Sequence, residues 1–202
     1  MLLDRTVSLA ARPRCFGCRA PGDWLCSSCD AGLGPPLRTD LVPRVDRLWT
    51  PWAYEGAARD LVLALKLRAR RPAAIPLADT LARAIQATGS AATVITWVPG
   101  RRPDSRARGF DHAELIARSL GECLGLPVHS LLARTGDRPD QTTLSGSDRR
   151  SNLKSAFVAL QTPQKVLLVD DLVTTGATAG ACAGSLRDRG ATYVEVAAPC
   201  RA

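Results

Sequence analysis

One run constrains this chain more than any other: Val166-Leu167-Leu168-Val169-Asp170-Asp171, continued by Leu172-Val173-Thr174-Thr175-Gly176-Ala177-Thr178. Four consecutive apolar residues without alternation describe a strand buried on both faces, as a parallel sheet requires. Two adjacent carboxylates at the end of such a strand are expensive to bury for packing alone. The expectation is that the strand delivers Asp170 and Asp171 to the C-terminal edge of the sheet, where open α/β sheets bind ligands. Thr174 to Thr178 then turn into a helix. The free N–H groups and dipole at its start favour a phosphate monoester. Gly176 admits close backbone approach, and the threonine hydroxyls add donors. The carboxylates accept from vicinal hydroxyls, so the whole describes a ribose 5-phosphate site. The competing reading is an ordinary strand–turn–helix with a threonine N-cap.

The remaining pattern agrees with an α/β sheet. Strand-like runs are expected at Leu48 to Tyr54, Thr93 to Val98, Val128 to Leu132, Phe157 to Leu160, Lys165 to Val169 and Tyr193 to Ala198. Helical patterns occupy Gly56 to Arg70, Pro76 to Thr88, His112 to Leu124 and Thr175 to Arg189. Strands alternating with helices predict a mostly parallel sheet covered on both faces. Thr135 to Ser151 is polar and turn-rich, a length that suits a lid or binding loop. A chain of 202 residues, 46% of them hydrophobic, is enough for one such core plus a small appendage.

That appendage is expected at 1–45, ahead of the α/β domain at 46–202. It holds Cys15-x2-Cys18 and Cys26-x2-Cys29, two pairs separated by seven residues, among many Gly and Pro. Two such turns can place four thiolates tetrahedrally around Zn2+. A redox pair is the rival reading. The ion's expected task is to fold a segment with almost no apolar core. Trp24, between the pairs, either stacks on a base or packs on the domain behind it. Cys123, Cys182 and Cys200 read as small apolar core residues.

The charge balance is basic, with 27 Lys+Arg against 19 Asp+Glu, a net +8. That suits an anionic partner, either a phosphorylated small molecule or a nucleic acid, although an arginine-rich composition alone yields the same sign. Arg101, Arg102, Arg106 and Arg108 cluster in one loop. Lys66, Arg68, Arg70 and Arg71 cluster at a helix end. No segment approaches the ~18 uninterrupted apolar residues of a membrane span. Met1-Leu2-Leu3-Asp4-Arg5 does not begin a signal peptide, so a cytoplasmic protein without membrane insertion is expected.

At this point the sequence resembles a known family. The run from Val166 to Thr178 is similar to the phosphoribosyl pyrophosphate signature of type I phosphoribosyltransferases. The whole chain resembles the ComF family, which is tied to DNA uptake in competence. The cysteine pairs, Tyr54-Glu55-Gly56 with Leu65-Lys66, and Val98-Pro99 carry the likeness. So do the block from Arg108 to Ala117 and the loop residues Arg134, Gln141, Leu144, Arg149, Asn152 and Phe157. The resemblance implies a type I phosphoribosyltransferase-like α/β fold, a mostly parallel sheet flanked by helices, with a small N-terminal four-cysteine zinc knuckle. It further implies that Asp170 and Asp171 hold the ribose hydroxyls. Thr174, Thr175, Gly176 and Thr178, with Val173 and Ala177, would form the 5-phosphate cradle. Pro99, Gly100, Arg101 and Arg102 would be the pyrophosphate loop, and Thr135 to Ser151 a hood. Mg2+ would arrive with the ligand, with few direct protein ligands.

Two departures matter. Purine-salvage members often carry an Asp where this chain has Thr174, so the obvious general acid/base is missing. Asp111-His112 replaces the commoner Asn-Gln, and His112 either acts near the ligand or is satisfied locally at its helix start. His129 is expected to be structural or exposed. The resulting expectation is a phosphoribosyl pyrophosphate-binding protein acting in DNA uptake, with single-stranded DNA and uptake proteins as partners. An active nucleobase phosphoribosyltransferase and a nucleic-acid-binding regulator that senses the ligand are the alternatives.

Overall fold

The computed structural model describes residues 13–37, 40–101, 103, 105, 109–135, 156–160 and 162–202. Its centre is a four-stranded, wholly parallel sheet. The strands are β1 (Arg47–Trp49), β3 (Val94–Trp97), β6 (Lys165–Val169) and β8 (Tyr193–Ala197), in the order β1-β8-β6-β3. The strands β3, β6 and β8 are buried on both sides, which explains the missing alternation. Ile95, Leu167, Val169 and Ala197 face a core built with α2 (Gly56–Lys66), α3 (Ala74–Thr88) and α4 (His112–Leu124). Val94, Val166, Leu168, Val194 and Val196 face a second core, closed by α5 (Ala177–Asp188) and the antiparallel pair β4 (Leu132–Arg134) and β5 (Phe157–Ala159). The fold is therefore α/β, a parallel sheet flanked by helices. No helix among the described residues is long and apolar enough to cross a membrane.

Three neighbouring strands do not stop where the sheet does. β1 resumes after Thr50-Pro51 as β2 (Trp52–Ala53). β6 resumes after Asp170-Asp171 as β7 (Leu172–Val173), and β8 after Ala198-Pro199 as β9 (Cys200–Arg201). The continuations pair in the same sequence, β2-β9-β7, again parallel. Pro51 and Pro199 have no N–H to donate, so the ladder cannot run through them. The three strands step together across the gap, held by Asp170 N–H to Ala197 O at 3.0 Å and Ala198 N–H to Trp49 O at 3.0 Å.

This corrects several expectations. Leu48 to Tyr54 is two strands broken at Pro51, not one. The acidic pair does follow the end of β6, but the chain then resumes as β7 in a second sheet. Val128 forms only an isolated bridge to Ile95, and the strand nearby is Leu132–Arg134. The first long helix ends at Lys66, short of Arg70. Ala69 takes a left-handed φ of 49°, which a continuing helix cannot accommodate. The cysteine-rich segment, expected without a helix, contains the short α1 (Ser27–Ala31). By contrast, His112–Leu124 starts and ends as expected. Asp111 caps its start, accepting from Ala113 N–H at 3.0 Å. Gly125, at a left-handed φ of 66°, ends it.

Candidate functional site

The loops after β3 and β6 lie side by side, because Val98 N–H donates to Val169 O at 2.9 Å. Four structural pieces meet there: the break at Asp170-Asp171, the loop 99–101, the C-terminal end of α2 and the start of α4. Asp171 is buried, and its Oδ2 lies 3.0 Å from Lys66 Nζ on α2 and 3.3 Å from His112 Nε2 on α4. Asp170 stays part-open, and its Oδ1 accepts from Asp171 N–H at 2.9 Å. Burial, and after it the neighbouring Asp171 carboxylate, push the Asp170 carboxyl well above the usual carboxylate range. The Asp171 N–H and the Lys66 ammonium oppose this without cancelling it. The two acids are thus unequal: Asp171 contacts Lys66 and His112, and Asp170 is the one held towards its protonated form.

Asp111 does two things at once. One oxygen caps α4, and the other accepts from Gly100 N–H at 2.7 Å. A Cβ at position 100 would lie 3.0 Å from Asp111 Oδ2 and from Ser105 Oγ, so a larger residue would crowd both side chains. Pro99 and Gly100 are half-buried and Arg101 is exposed. Arg102, like Arg106 and Arg108, lies outside the described residues.

Beyond β7, Thr174 and Thr175 are exposed, and Gly176 begins α5 at a left-handed φ of 76°. Thr175 Oγ1 accepts from Ala177 N–H at 3.3 Å. Gly176 itself supplies no side-chain cap, so apart from the Thr175 contact the N–H groups of this first turn have no side-chain acceptor among the described residues. Val173 is buried beneath this loop, Ala177 is exposed and Thr178 is half-buried. Of the expected hood, Thr135 is described. The rest, with Gln141, Leu144, Arg149 and Asn152, lies outside the described residues. Arg134 stacks over Phe157 at 5.1 Å, joining β4 to β5.

Sequence reasoning left two residues of this cluster unassigned. Lys66 read as one of several surface cations, yet it reaches the buried acid. His112 had two open readings, and the structure sets it against Asp171. His129 is exposed, its N–H bonded to Ile95 O at 2.9 Å. Cys182 and Cys200 are fully buried, and burial raises both thiols, Cys200 to about 12. They are inert core residues. Cys123 is half-buried, its Sγ 3.5 Å from Asp79 Oδ1.

The second cluster is Cys15, Cys18, Cys26 and Cys29, whose sulfurs all lie within 4.8 Å of one another. Tetrahedral zinc with Zn–S near 2.3 Å sets sulfurs about 3.8 Å apart. The Cys18–Cys26 separation of 3.6 Å is close to that. Burial opposes ionisation of Cys15, but N–H groups of Cys26, Cys18 and Gly17 lower its thiol to about 6. Cys29, crowded by the Cys26 and Cys15 thiols, is pushed up to about 12. Four thiolates therefore need a cation among them, and the cluster can hold a metal ion. Gly17 is fixed by proximity, since a Cβ there would lie 2.8 Å from Cys29 Sγ and 3.0 Å from Ala57 Cβ on α2. Phe16, Leu25 and Leu33 pack on the main core. Trp24 stacks against Phe16 at 5.8 Å, and Asp30 pairs with Arg83 of α3 at 2.8 Å.

No protein-family model matches the chain. Curated relatives do. Competence protein F of Haemophilus influenzae is 34% identical over 95 residues, which cover 44% of this chain and 42% of the relative. DNA utilization protein YhgH of Salmonella typhi is 34% identical over 150 residues, covering 72% of this chain and 60% of the relative. The chain thus spans about half the length of the curated relatives it matches. Among solved structures, glutamine phosphoribosylpyrophosphate amidotransferase from B. subtilis, complexed with ADP and GMP, overlaps 63% of this chain and 26% of its own. The TM-score is 0.46 and the identity 21%. With its four-cysteine cluster and parallel α/β sheet, this chain is a homologue of Competence protein F and of the DNA utilization protein YhgH.

Proposed function

We propose that the chain binds phosphoribosyl pyrophosphate with Mg2+ and acts in the uptake or use of DNA, with single-stranded DNA as its macromolecular partner. One observation carries the ligand reading. The break between β6 and β7 puts an acid pair a few residues ahead of a helix start that leaves backbone N–H groups for an anion, which is the chemistry of a sugar phosphate. In this reading Thr174, Thr175, Gly176, Ala177 and Thr178 receive the 5-phosphate, above Val173. Asp170, the more open acid, takes the ribose hydroxyls first, and Asp171 is positioned by Lys66 and His112. Pro99, Gly100 and Arg101 face the pyrophosphate, and Arg102, expected in the same loop, lies outside the described residues. Asp171 is engaged and Asp170 is held towards its neutral form, so the protein offers few direct ligands to a divalent cation. That fits Mg2+ entering with the ligand, where it would neutralise pyrophosphate charge. Zinc in the four-cysteine cluster is structural, joining the knuckle to α2.

The DNA reading is supported by the relatives' names, by the net charge of +8, and by cation–aromatic pairs on one turn. Arg70 lies over Phe16 at 5.9 Å and Arg71 over Phe110 at 5.1 Å. Stacked aromatics beside arginines suit single strands. Calorimetric titration of Mg2+ and phosphoribosyl pyrophosphate into the full chain tests the ligand. Binding is expected in the wild type and lost in Asp170→Asn/Asp171→Asn, and a wild type that does not bind sinks the reading. Retention of labelled single strands should fall with rising salt, and salt-independent retention contradicts a phosphate-driven contact.

Turnover is the second reading, favoured by the Asp170 carboxyl held towards its protonated state. It predicts pyrophosphate release with at least one acceptor from a panel of nucleobases and single-stranded DNA.

A further inference from the structure

Three buried side-chain nitrogen or oxygen atoms among the described residues have no hydrogen-bond partner: Ser105 Oγ, Asp171 Oδ2 and Arg201 Nε. The first two flank the site already described, where Asp171 Oδ2 has only ion-pair contacts. The third lies on β9 and has been given no role. Arg201 is 3% exposed. Among the described residues its side chain makes one hydrogen bond, from Nη2 to Asp40 O at 2.8 Å, and no ion pair. A guanidinium cannot shed its proton, so a buried one with a single neutral acceptor is costly. A positive charge kept in that state has a use when an anion is expected nearby.

Its position says which anion. β9 pairs with β7 so that Arg201 stands opposite Val173, the residue before Thr174. Cys200 faces the α2 side of the sheet and Val173 the α5 side, so strand alternation turns Arg201 towards α5. The segment that supplies Asp40 O continues to Val42, which is buried on Gly176. A Cβ there would meet Val42 Cγ2 at 2.5 Å. Pro43 O lies 3.1 Å from a Cβ on Gly180, and Arg44 Nη1 3.2 Å from one on Gly184, so the segment runs along α5. The guanidinium therefore lies on the α5 side of β9, beside β7 and against the segment that packs on Gly176. The donors described so far at that loop are neutral hydroxyls and amides. Lys66, on the acid side, is committed to Asp171 at 3.0 Å.

We propose that Arg201 is the charged component of the phosphate end of this pocket, a buried cation behind Thr174–Thr178 that stabilises a phosphate monoester dianion. The inference rests on reading that loop as a phosphate site. In a water-poor surrounding one fixed charge acts strongly on an anion without large reorganisation.

The test titrates Mg2+ with phosphoribosyl pyrophosphate, and separately inorganic phosphate, into the full chain as wild type, Arg201→Met and Arg201→Lys. Arg201→Met should fold with an unchanged or higher Tm, because a lone buried charge is gone. It should bind both probes about tenfold more weakly or worse, and Arg201→Lys should recover part of the loss. Wild-type affinity in a folded Arg201→Met overturns the proposal while leaving the pocket intact. A wild type that binds neither probe removes the pocket reading and this inference with it. A wild type that binds phosphate alone still decides the role of Arg201. Should Arg201→Met not fold, the Nε–H resonance of Arg201 in the wild type, assigned by its loss in Arg201→Lys, carries the test. It should shift on adding inorganic phosphate, and a stationary resonance refutes the proposal.

Discussion

Replacing Asp170 by Asn should make the protein more stable and less able to bind. Burial and the adjacent Asp171 hold the Asp170 carboxyl well above the usual range. In the unfolded chain the same group titrates near about 3.9. Between those limits the native state binds more protons than the unfolded state, so stability falls as pH rises. The loss begins near pH ~4 and continues until the native carboxyl ionises. Each tenfold change in that proton equilibrium is worth about 1.4 kcal/mol. Asp170 is part-open to solvent, so solvent screening reduces the net effect. Asn keeps an oxygen for the Asp171 N–H, now at 2.9 Å, and removes the charge. Asp170→Asn should therefore melt above the wild type at pH ~7, by about 2–4 °C for each kcal/mol gained in a chain of this size. The two melting curves should converge near pH ~4. Circular dichroism melts across this pH range decide it. A lower Tm at neutral pH, or an offset that does not change with pH, would refute the electrostatic reasoning.

Other outcomes follow from the same contacts. Lys66→Met strips Asp171 of its 3.0 Å partner. It should cost about 1–3 kcal/mol by urea denaturation, reduced because the lysine is itself part-exposed. Lys66→Met/Asp171→Asn should regain most of that, whereas additive losses would mean the two groups do not interact. Gly17→Ala forces a methyl against Cys29 Sγ and Ala57. Zinc affinity in a chelator competition should drop about tenfold or more, and an unaltered value contradicts the packing of the knuckle on α2. Stripping the metal should change Trp24 fluorescence as the Phe16–Trp24 contact loosens, while the far-ultraviolet spectrum of the α/β domain persists. Collapse of that spectrum would show the knuckle to be part of the main folding unit.

What could be read from the sequence was what is encoded locally. Val166 to Val169 announces a doubly buried strand, and Asp111 and Gly125 announce the ends of α4. Four cysteines in two short turns announce a metal cluster. The proposed phosphate loop is legible because its acids, threonines and glycine are consecutive. The rest depends on contacts that no periodicity records. Lys66 and Asp171 are separated by 105 positions, and only the return of α2 over the sheet brings them together. β7 and β9 have two residues each, too few to show any alternation. Pro51 and Pro199 mark breaks in sequence, but not that three strands break at one level. Arg201 carries no motif at all, and burial alone distinguishes it from the many surface arginines.

The most direct measurement is a crystal structure of the full chain with phosphoribosyl pyrophosphate and Mg2+. The account predicts the 5-phosphate at the start of α5, within hydrogen-bond distance of the backbone N–H groups of Thr175 to Thr178, and the ribose hydroxyls on Asp170. A ligand bound elsewhere, or an α5 start that stays free of phosphate at saturating ligand, would contradict it.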